Sequence, residues 1–170
     1  HAFDLEKIGP KIFIRYADAG EDFSALDGKT CRLESKDLVI ADSNGPIALA
    51  GIIGGAGSQV SASTRHIALE SAYFNPSTVR RTARRLGIQT ESSFRFERRV
   101  DPDAVTMALE RASFLLQKMT SGEPSTHRID RGSKKFKPRE VIFDPESVGR
   151  LMGGEWPVSK VRSKLLRLGF

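Results

Sequence analysis

The chain has 170 residues, a formal net charge of +6 and a pI near 9.7, with 39% hydrophobic and 28% charged residues. This composition predicts a soluble globular protein with one core and room for a small appendage, and no apolar run approaches the ~20 residues that a membrane helix requires. A single cysteine, Cys31, excludes an internal disulfide and a multi-thiolate zinc site and fits the reducing cytoplasm, while the positive charge favours a polyanionic partner.

Strand signals dominate the first half of the chain. Alternating or apolar runs predict strands over 12–16, 38–41, 47–50 and 67–72, and a short one over 94–97. Residues 42–46 join two of these runs and contain Asn-Gly, which is typical of a hairpin turn.

Helix signals follow. Asn75 is expected to cap a helix that begins at Pro76 and ends at Gly87. Asp101-Pro102 repeats the start signal, and apolar residues at helical spacing then continue to near Gly122. These residues are Val105, Ala108, Leu109, Ala112, Leu115, Leu116 and Met119.

The last third is expected to begin with a linker over 121–139, rich in Gly, Pro, Ser and Lys. A short strand over 141–143 and two short helices, starting at Asp144 and at about Pro157, are predicted after it. The fold class is therefore α+β, a mixed sheet with flanking helices followed by a small helical or winged segment. Because His1 is not preceded by an initiator methionine or a signal peptide, the chain is expected to be a piece of a longer protein.

Glu70 is a candidate binding residue because alternation in a strand places it on one face with Ala68 and Ala72. A carboxylate between two alanines would be recessed and could accept a hydrogen bond from a hydroxyl or an amine. The alternative, a glutamate on a solvated strand surface, is favoured by spacing alone.

Glycines and small polar residues flank this candidate along the chain. Gly51, Gly54 and Gly55 follow an apolar strand and would let a ligand approach the backbone, although a plain turn explains them as well. Thr90 and Ser92 could hold a water or a ribose hydroxyl, or could serve only a turn. The sequence has neither a nucleophilic triad nor the spacing of a metal site.

Four arginines, Arg80, Arg81, Arg84 and Arg85, fall on the first predicted helix as two i,i+4 pairs of like charge. A phosphate partner would relieve their repulsion, so RNA contact is predicted for all four. The alternative is a solvated helix that pairs with distant acids such as Glu97.

The sequence resembles the B3/B4 domain of the bacterial phenylalanyl-tRNA synthetase β subunit. The segments that carry the resemblance are 1–4 (HAFD), 26–28 (LDG), 38–42, 47–55, 69–74, 93–98 and 100–102. The tail from Pro145 to Phe170 is similar to the start of the B5 domain that follows in this family. The resemblance therefore implies a B3/B4-like editing domain over 1–132, without its N-terminal part, and the start of a B5-like domain over 133–170.

The resemblance implies an editing function. The synthetase attaches phenylalanine to tRNA(Phe) with ATP and Mg²⁺ at a site on the α subunit of an α2β2 enzyme, and the B3/B4 domain hydrolyses tyrosine wrongly attached to that tRNA. A pocket for phenylalanine cannot strongly exclude an isostere with one more hydroxyl, so a second site that binds this hydroxyl is needed. No cofactor is implied for this segment itself.

Family roles transfer to individual positions of the chain. By resemblance, Glu70 would receive the tyrosine hydroxyl, Gly54 would give the ring room, and Thr90 and Ser92 would line the pocket, with Gly55 as a further substrate-binding residue. His1 and Thr90 are the expected catalytic residues, and His1 would lie near the scissile ester, where it would position the terminal adenosine or the attacking water.

Two other interpretations remain, and one position departs from the family. The chain could be a non-catalytic RNA-binding or scaffold piece of the same subunit; a free-standing editing factor is disfavoured by the B5-like tail. Relatives usually have glycine where this chain has Arg99, which implies a different backbone or an added phosphate contact.

Overall fold

The structure is a computed structural model that describes residues 1–132 and 140–170. The chain forms two compact units, His1–Arg131 and Gly132–Phe170, which are described separately. Part of the predicted linker, 133–139, lies outside the described residues.

A four-stranded antiparallel sheet forms the centre of the first unit. Its strands are β2 (Phe13–Tyr16), β5 (Leu38–Asp42), β6 (Gly45–Leu49) and β7 (Ile53–Gly54), in the spatial order β2-β5-β6-β7. The predicted hairpin between β5 and β6 is confirmed, with Asp42 paired to Gly45 across a two-residue turn. Val39 and Ala41 on β5 are completely buried, so this hairpin is the middle of the core.

Two smaller antiparallel sheets accompany it. β1 (Ala2–Asp4) pairs with β8 (Ile67–Leu69), and β3 (Asp22–Ser24) pairs with β4 (Thr30–Arg32). Together with the helices they confirm the predicted α+β class. The sequence did not indicate β1, β3 or β4, since three residues are too few for a periodic signal.

Helix α1 spans Pro76–Leu86 and has both predicted ends. The Asn75 side chain accepts the backbone N–H groups of residues 77 and 78, and Gly87 ends the helix in the left-handed conformation at φ 64°.

The short strand predicted over 94–97 is wrong. These residues belong to helix α2 (Glu91–Phe96) and its C-terminal cap. Thr90 and Ser93 form a capping box, in which each side chain accepts the other residue's backbone N–H. The hydrogen bonds of this capped helix start outweigh the strand preference that four alternating residues indicate.

Helix α3 spans Ala104–Thr120, close to the predicted range, and ends at Ser121 with φ 56°. None of its residues is fully buried. Val105, Ala108, Leu109 and Ala112 of the predicted apolar stripe face a cavity, whereas Met119 at its end is 81% exposed.

The second unit contains helices α4 (Glu146–Met152) and α5 (Val158–Arg167), as predicted. The strand predicted over 141–143 is wrong: this segment has no regular structure, and Ile142 is fully exposed. A strand needs a partner to satisfy its backbone groups, and the described part of this unit offers none. Nowhere in 1–132 or 140–170 is a helix both long and apolar enough to span a membrane.

Candidate functional site

A cavity of about 410 Å³ lies in the first unit. It is bounded by the β6–β7 connection, the segment that follows β8, helix α2 and the first half of α3. Most of its lining is apolar, and a few polar residues interrupt it: His1, Glu70, Ser71, Ser92 and Asp101. Its size and character suit a small organic group, for which pockets of roughly 300–1,000 Å³ are usual.

Glu70 places a carboxylate in the apolar wall. Its side chain is 23% exposed, and burial raises the pKa of this carboxyl above its usual value. The backbone nitrogen of His1 lies 3.9 Å from Glu70 Oε2 and, as an ammonium, opposes part of that rise. In a longer chain the same nitrogen would be an uncharged amide, which would leave the effect of burial unopposed.

The backbone around Glu70 is fixed on both sides. Its N–H donates to the carbonyl of His1 at 2.7 Å, and its carbonyl accepts from the His1 nitrogen at 2.8 Å, so the pairing of β1 and β8 continues one residue further. One residue on, Ser71 Oγ donates to the carbonyl of Val105 on α3 at 2.9 Å. The segment that carries Glu70 is therefore held between a strand and a helix.

His1 and Gly54 lie on the same side of the cavity, and the His1 ring packs closely against Gly54. A Cβ added to Gly54 would lie 2.5 Å from both Cε1 and Nε2 of His1 and 2.9 Å from Leu26 Cδ1. The imidazole also packs edge-on against Phe3, with ring centroids 4.7 Å apart. The missing side chain of Gly54 thus leaves room first of all for the His1 ring.

Gly55 has a different position. It does not line the cavity, and a Cβ there would meet the backbone oxygen of Ile47 at 2.7 Å. Its N–H donates to that same oxygen. Contact of Gly55 with a substrate stays a prediction, and the structure gives a packing reason for this glycine, because the backbone of β6 lies against it.

The hydroxyls predicted at positions 90 and 92 are both used by the chain itself. Thr90 Oγ1 donates to the carbonyl of Ile52 at 2.7 Å, and Ser92 Oγ donates to the carbonyl of Gly51 at 3.0 Å. Ser92 lines the cavity, as do Gly51 and Ile52, whereas Thr90 does not. The catalytic role expected of Thr90 stays a prediction; in the structure its hydroxyl holds Ile52, a residue of the wall.

Two of the four arginines on α1 are bound to the 32–37 segment. Arg85 forms an ion pair with the buried carboxylate of Asp37, which Thr82 Oγ1 also contacts at 2.7 Å, and Arg81 donates to the carbonyl of Lys36 at 3.1 Å. The acid proposed as a partner, Glu97, pairs with Arg98 instead. The sequence suggested one group of four arginines, but the contacts of Arg81 and Arg85 separate these two from the others.

The other two, Arg80 and Arg84, are exposed and contact no acid in the described part of the chain. They form an i,i+4 pair of like charge on one stripe of α1. This stripe remains available for an anionic partner.

Two aromatic residues of the wall were not predicted. Phe74 and Phe96 pack edge-to-face with centroids 5.1 Å apart, and both line the cavity. Phe96 was missed because its segment was interpreted as a strand. On a helix, Phe96 and the predicted pocket residue Ser92 are four residues apart and share a face, which is the signal that could have found Phe96.

Arg99 lies where the polypeptide leaves α2, with φ 72° and its N–H donating to the carbonyl of Phe96. This left-handed conformation is the one that glycine adopts freely at helix ends. The unusual feature of the backbone near Arg99 is therefore that an arginine adopts a conformation that favours glycine.

The profile of the B3/4 domain family matches residues 1–121. The phenylalanine–tRNA ligase beta subunits of Legionella pneumophila (strain Lens), Geobacter metallireducens and Aquifex aeolicus are 46%, 43% and 42% identical to this chain over 99%, 100% and 97% of its length. The chain covers 21% of each of these relatives, so it spans about a fifth of their length. On the match over residues 1–121, the chain belongs to the B3/4 domain family.

Proposed function

We propose that this chain is the editing domain of a phenylalanine–tRNA ligase β subunit and that it hydrolyses tyrosine wrongly attached to tRNA(Phe). The observation that carries the proposal is the Glu70 carboxylate set into an apolar, aromatic-lined cavity. Relatives named phenylalanine–tRNA ligase beta subunit, which match nearly the whole chain, support it.

Discrimination would rest on Glu70. The phenol of a bound tyrosine would donate to this carboxylate, while its ring would lie among apolar groups such as Phe74 and Phe96. Phenylalanine in the same place would leave a half-buried carboxylate without a donor, which costs free energy. The cavity would therefore select the substrate that the synthetic site cannot reject.

Hydrolysis would need positioning and no covalent intermediate. Water would attack the ester carbonyl, the bond to the ribose oxygen would break, and a proton would pass to that oxygen, giving free tyrosine and tRNA. His1 is the residue proposed to hold the terminal adenosine or this water, with Gly54 clearing the space for its ring. Ser92 and Thr90 would fix the Gly51–Ile52 backbone of the wall.

The longer protein gives this domain its setting. We propose that it acts in the cytoplasm beside an α subunit, in an α2β2 enzyme that attaches phenylalanine to tRNA(Phe). ATP and Mg²⁺ would serve that attachment, and this segment would bind neither. The exposed Arg80/Arg84 stripe is the surface proposed to contact the tRNA backbone, and it would do so equally in a scaffold without editing activity.

The test uses the full-length enzyme and its Glu70→Ala variant. Clearance of tyrosyl-tRNA should fall by at least about tenfold, the worth of a hydrogen bond to a charged group, while attachment of phenylalanine continues at the wild-type rate. Equal loss of both activities, or retention of both, would exclude a specificity role for Glu70. A wild-type enzyme that does not clear tyrosyl-tRNA would favour the scaffold function.

A further inference from the structure

Three arginines, Arg95, Arg98 and Arg99, lie together where α2 ends. Arg95 pairs with Glu91, and Arg98 donates to Glu97 at 2.7 Å while stacking 3.7 Å above the ring of Phe94. Within residues 1–132 and 140–170, the guanidinium of Arg99 makes no hydrogen bond or ion pair. Of the three, Arg99 is therefore the cation left for an external partner.

Arg99 is also next to the cavity. Phe96 before it, and Val100 and Asp101 directly after it, all line the wall. The neighbouring carboxylate does not compensate the charge, because Asp101 Oδ1 accepts the backbone N–H of Asp103 and makes no ion pair with Arg99. A positive, exposed side chain thus stands beside residues that form the cavity.

The backbone at Arg99 gives a second argument. At φ 72° a side chain is strained, and glycine or asparagine would satisfy the helix end without that strain. Arg99 therefore has a strained conformation beside a proposed active site. Such strain indicates that its side chain contributes something other than stability.

We propose that Arg99 binds a phosphodiester of the RNA strand whose 3′-terminal ester enters the cavity. The inference rests on the proposed function and adds to it the residue that holds the strand at this point. The planar guanidinium can donate two parallel hydrogen bonds to phosphate oxygens, which fixes the strand's direction as well as its distance. Arg99 would be a binding residue and would leave the hydrolytic step unchanged.

The experiment compares Arg99→Asn with Arg65→Asn in the full-length enzyme. Asparagine tolerates the left-handed conformation, so the first variant removes charge without adding strain. Arg65 is exposed and makes no ion pair in the described part of the chain. It precedes the first residue of β8 by two positions, whereas Glu70 follows the last, so it is a charge-matched control. Two substrates are used: tyrosyl-tRNA, and the tyrosyl ester of adenosine, which has no phosphodiester.

For Arg99→Asn we expect KM for tyrosyl-tRNA to rise about tenfold with kcat unchanged, and hydrolysis of the adenosine ester to stay at the wild-type rate. The slope of log affinity against log salt for tRNA binding should decrease in magnitude by about 0.7, the share of one phosphate contact on a single strand. Arg65→Asn should change none of these values. Arg99→Lys, which keeps the charge, should recover most of the salt slope.

Equal effects of Arg99→Asn and Arg65→Asn would overturn the inference, as would an equal loss on both substrates, because a damaged cavity affects both. If the wild-type enzyme hydrolyses neither ester, the proposed function fails. The salt slope of tRNA binding then still decides the role of Arg99, since binding needs no hydrolysis.

Discussion

Three glycines, Gly54, Gly55 and Gly57, lie within four residues of each other, and alanine should have a different effect at each. At Gly54 the new Cβ would lie 2.5 Å from Cε1 and Nε2 of His1. An ordinary carbon contact is about 3.5–4.0 Å, so the imidazole must move by at least about 1 Å. A displacement of that size at a reacting centre can cost about 100-fold in rate.

The cost in stability should be small at the same position. His1 presents the far end of a side chain at the cavity, which can turn away, so we expect Gly54→Ala to lower the free energy of unfolding by less than about 1 kcal/mol. At Gly55 the obstacle is the backbone oxygen of Ile47 in the central sheet, 2.7 Å from the new Cβ. Because the backbone of that strand cannot move aside, Gly55→Ala should lower the free energy of unfolding by about 1–3 kcal/mol.

Gly57 is the matched control. A Cβ there meets no atom of the described residues within 4 Å, and the φ of Gly57 is not in the left-handed region, so Gly57→Ala should change neither the hydrolysis rate nor the free energy of unfolding. The assays are tyrosyl-tRNA hydrolysis, denaturant unfolding, and the NMR shifts of the His1 ring, which lies against Phe3. If Gly54→Ala leaves the His1 shifts and the hydrolysis rate unchanged, the assigned role of this glycine is refuted.

Further predictions concern charge. Glu70→Gln should stabilise the protein at neutral pH but not at low pH. The raised pKa means that the folded state holds a proton that the unfolded state releases, so wild-type stability falls as pH rises above about 4.5, and unfolding curves at pH 4 and 7.5 test this. Arg85→Ala should lower the free energy of unfolding by about 1.5–3 kcal/mol, because it removes the charged partner of the buried Asp37 carboxylate. Arg84→Ala on the same helix should change it by no more than about 0.5 kcal/mol. Equal losses in denaturant unfolding would argue against the ion pair. Reversing the charge at Arg80 and Arg84 should weaken tRNA binding in a salt-dependent manner, and an affinity that is unchanged at every salt concentration would exclude this stripe as a contact.

Local signals were enough where a structural element is specified by its own residues. Asn75, Pro76 and Gly87 fix both ends of α1, and the 42–46 segment, in which Asn44 ends the two-residue turn and Gly45 begins β6, fixes the β5–β6 hairpin. The strand expected over 141–143 is wrong because a short apolar run indicates only a preference for extended structure, whereas a strand also needs a partner.

The candidate site could be predicted only in part from the sequence, because its most important contacts join residues that are far apart in the chain. Spacing could place Glu70 between two alanines, but the proximity of His1 and Gly54 depends on the pairing of β1 with β8. Thr90 meets Ile52 across 38 positions, and Arg85 meets Asp37 across 48. Only the folded chain shows that these polar groups are already engaged and that Arg99 has no partner among the residues that the structure describes.

The central claim is that the Glu70 carboxylate accepts the hydroxyl of a tyrosyl group in the cavity. Its most direct test is the affinity of the full-length enzyme for non-hydrolysable amide analogues of tyrosyl-adenosine and phenylalanyl-adenosine, measured for the wild type and Glu70→Ala. The wild type should prefer the tyrosyl analogue by about 10-fold or more, and the variant should bind both analogues alike. The same preference in both proteins would contradict the account.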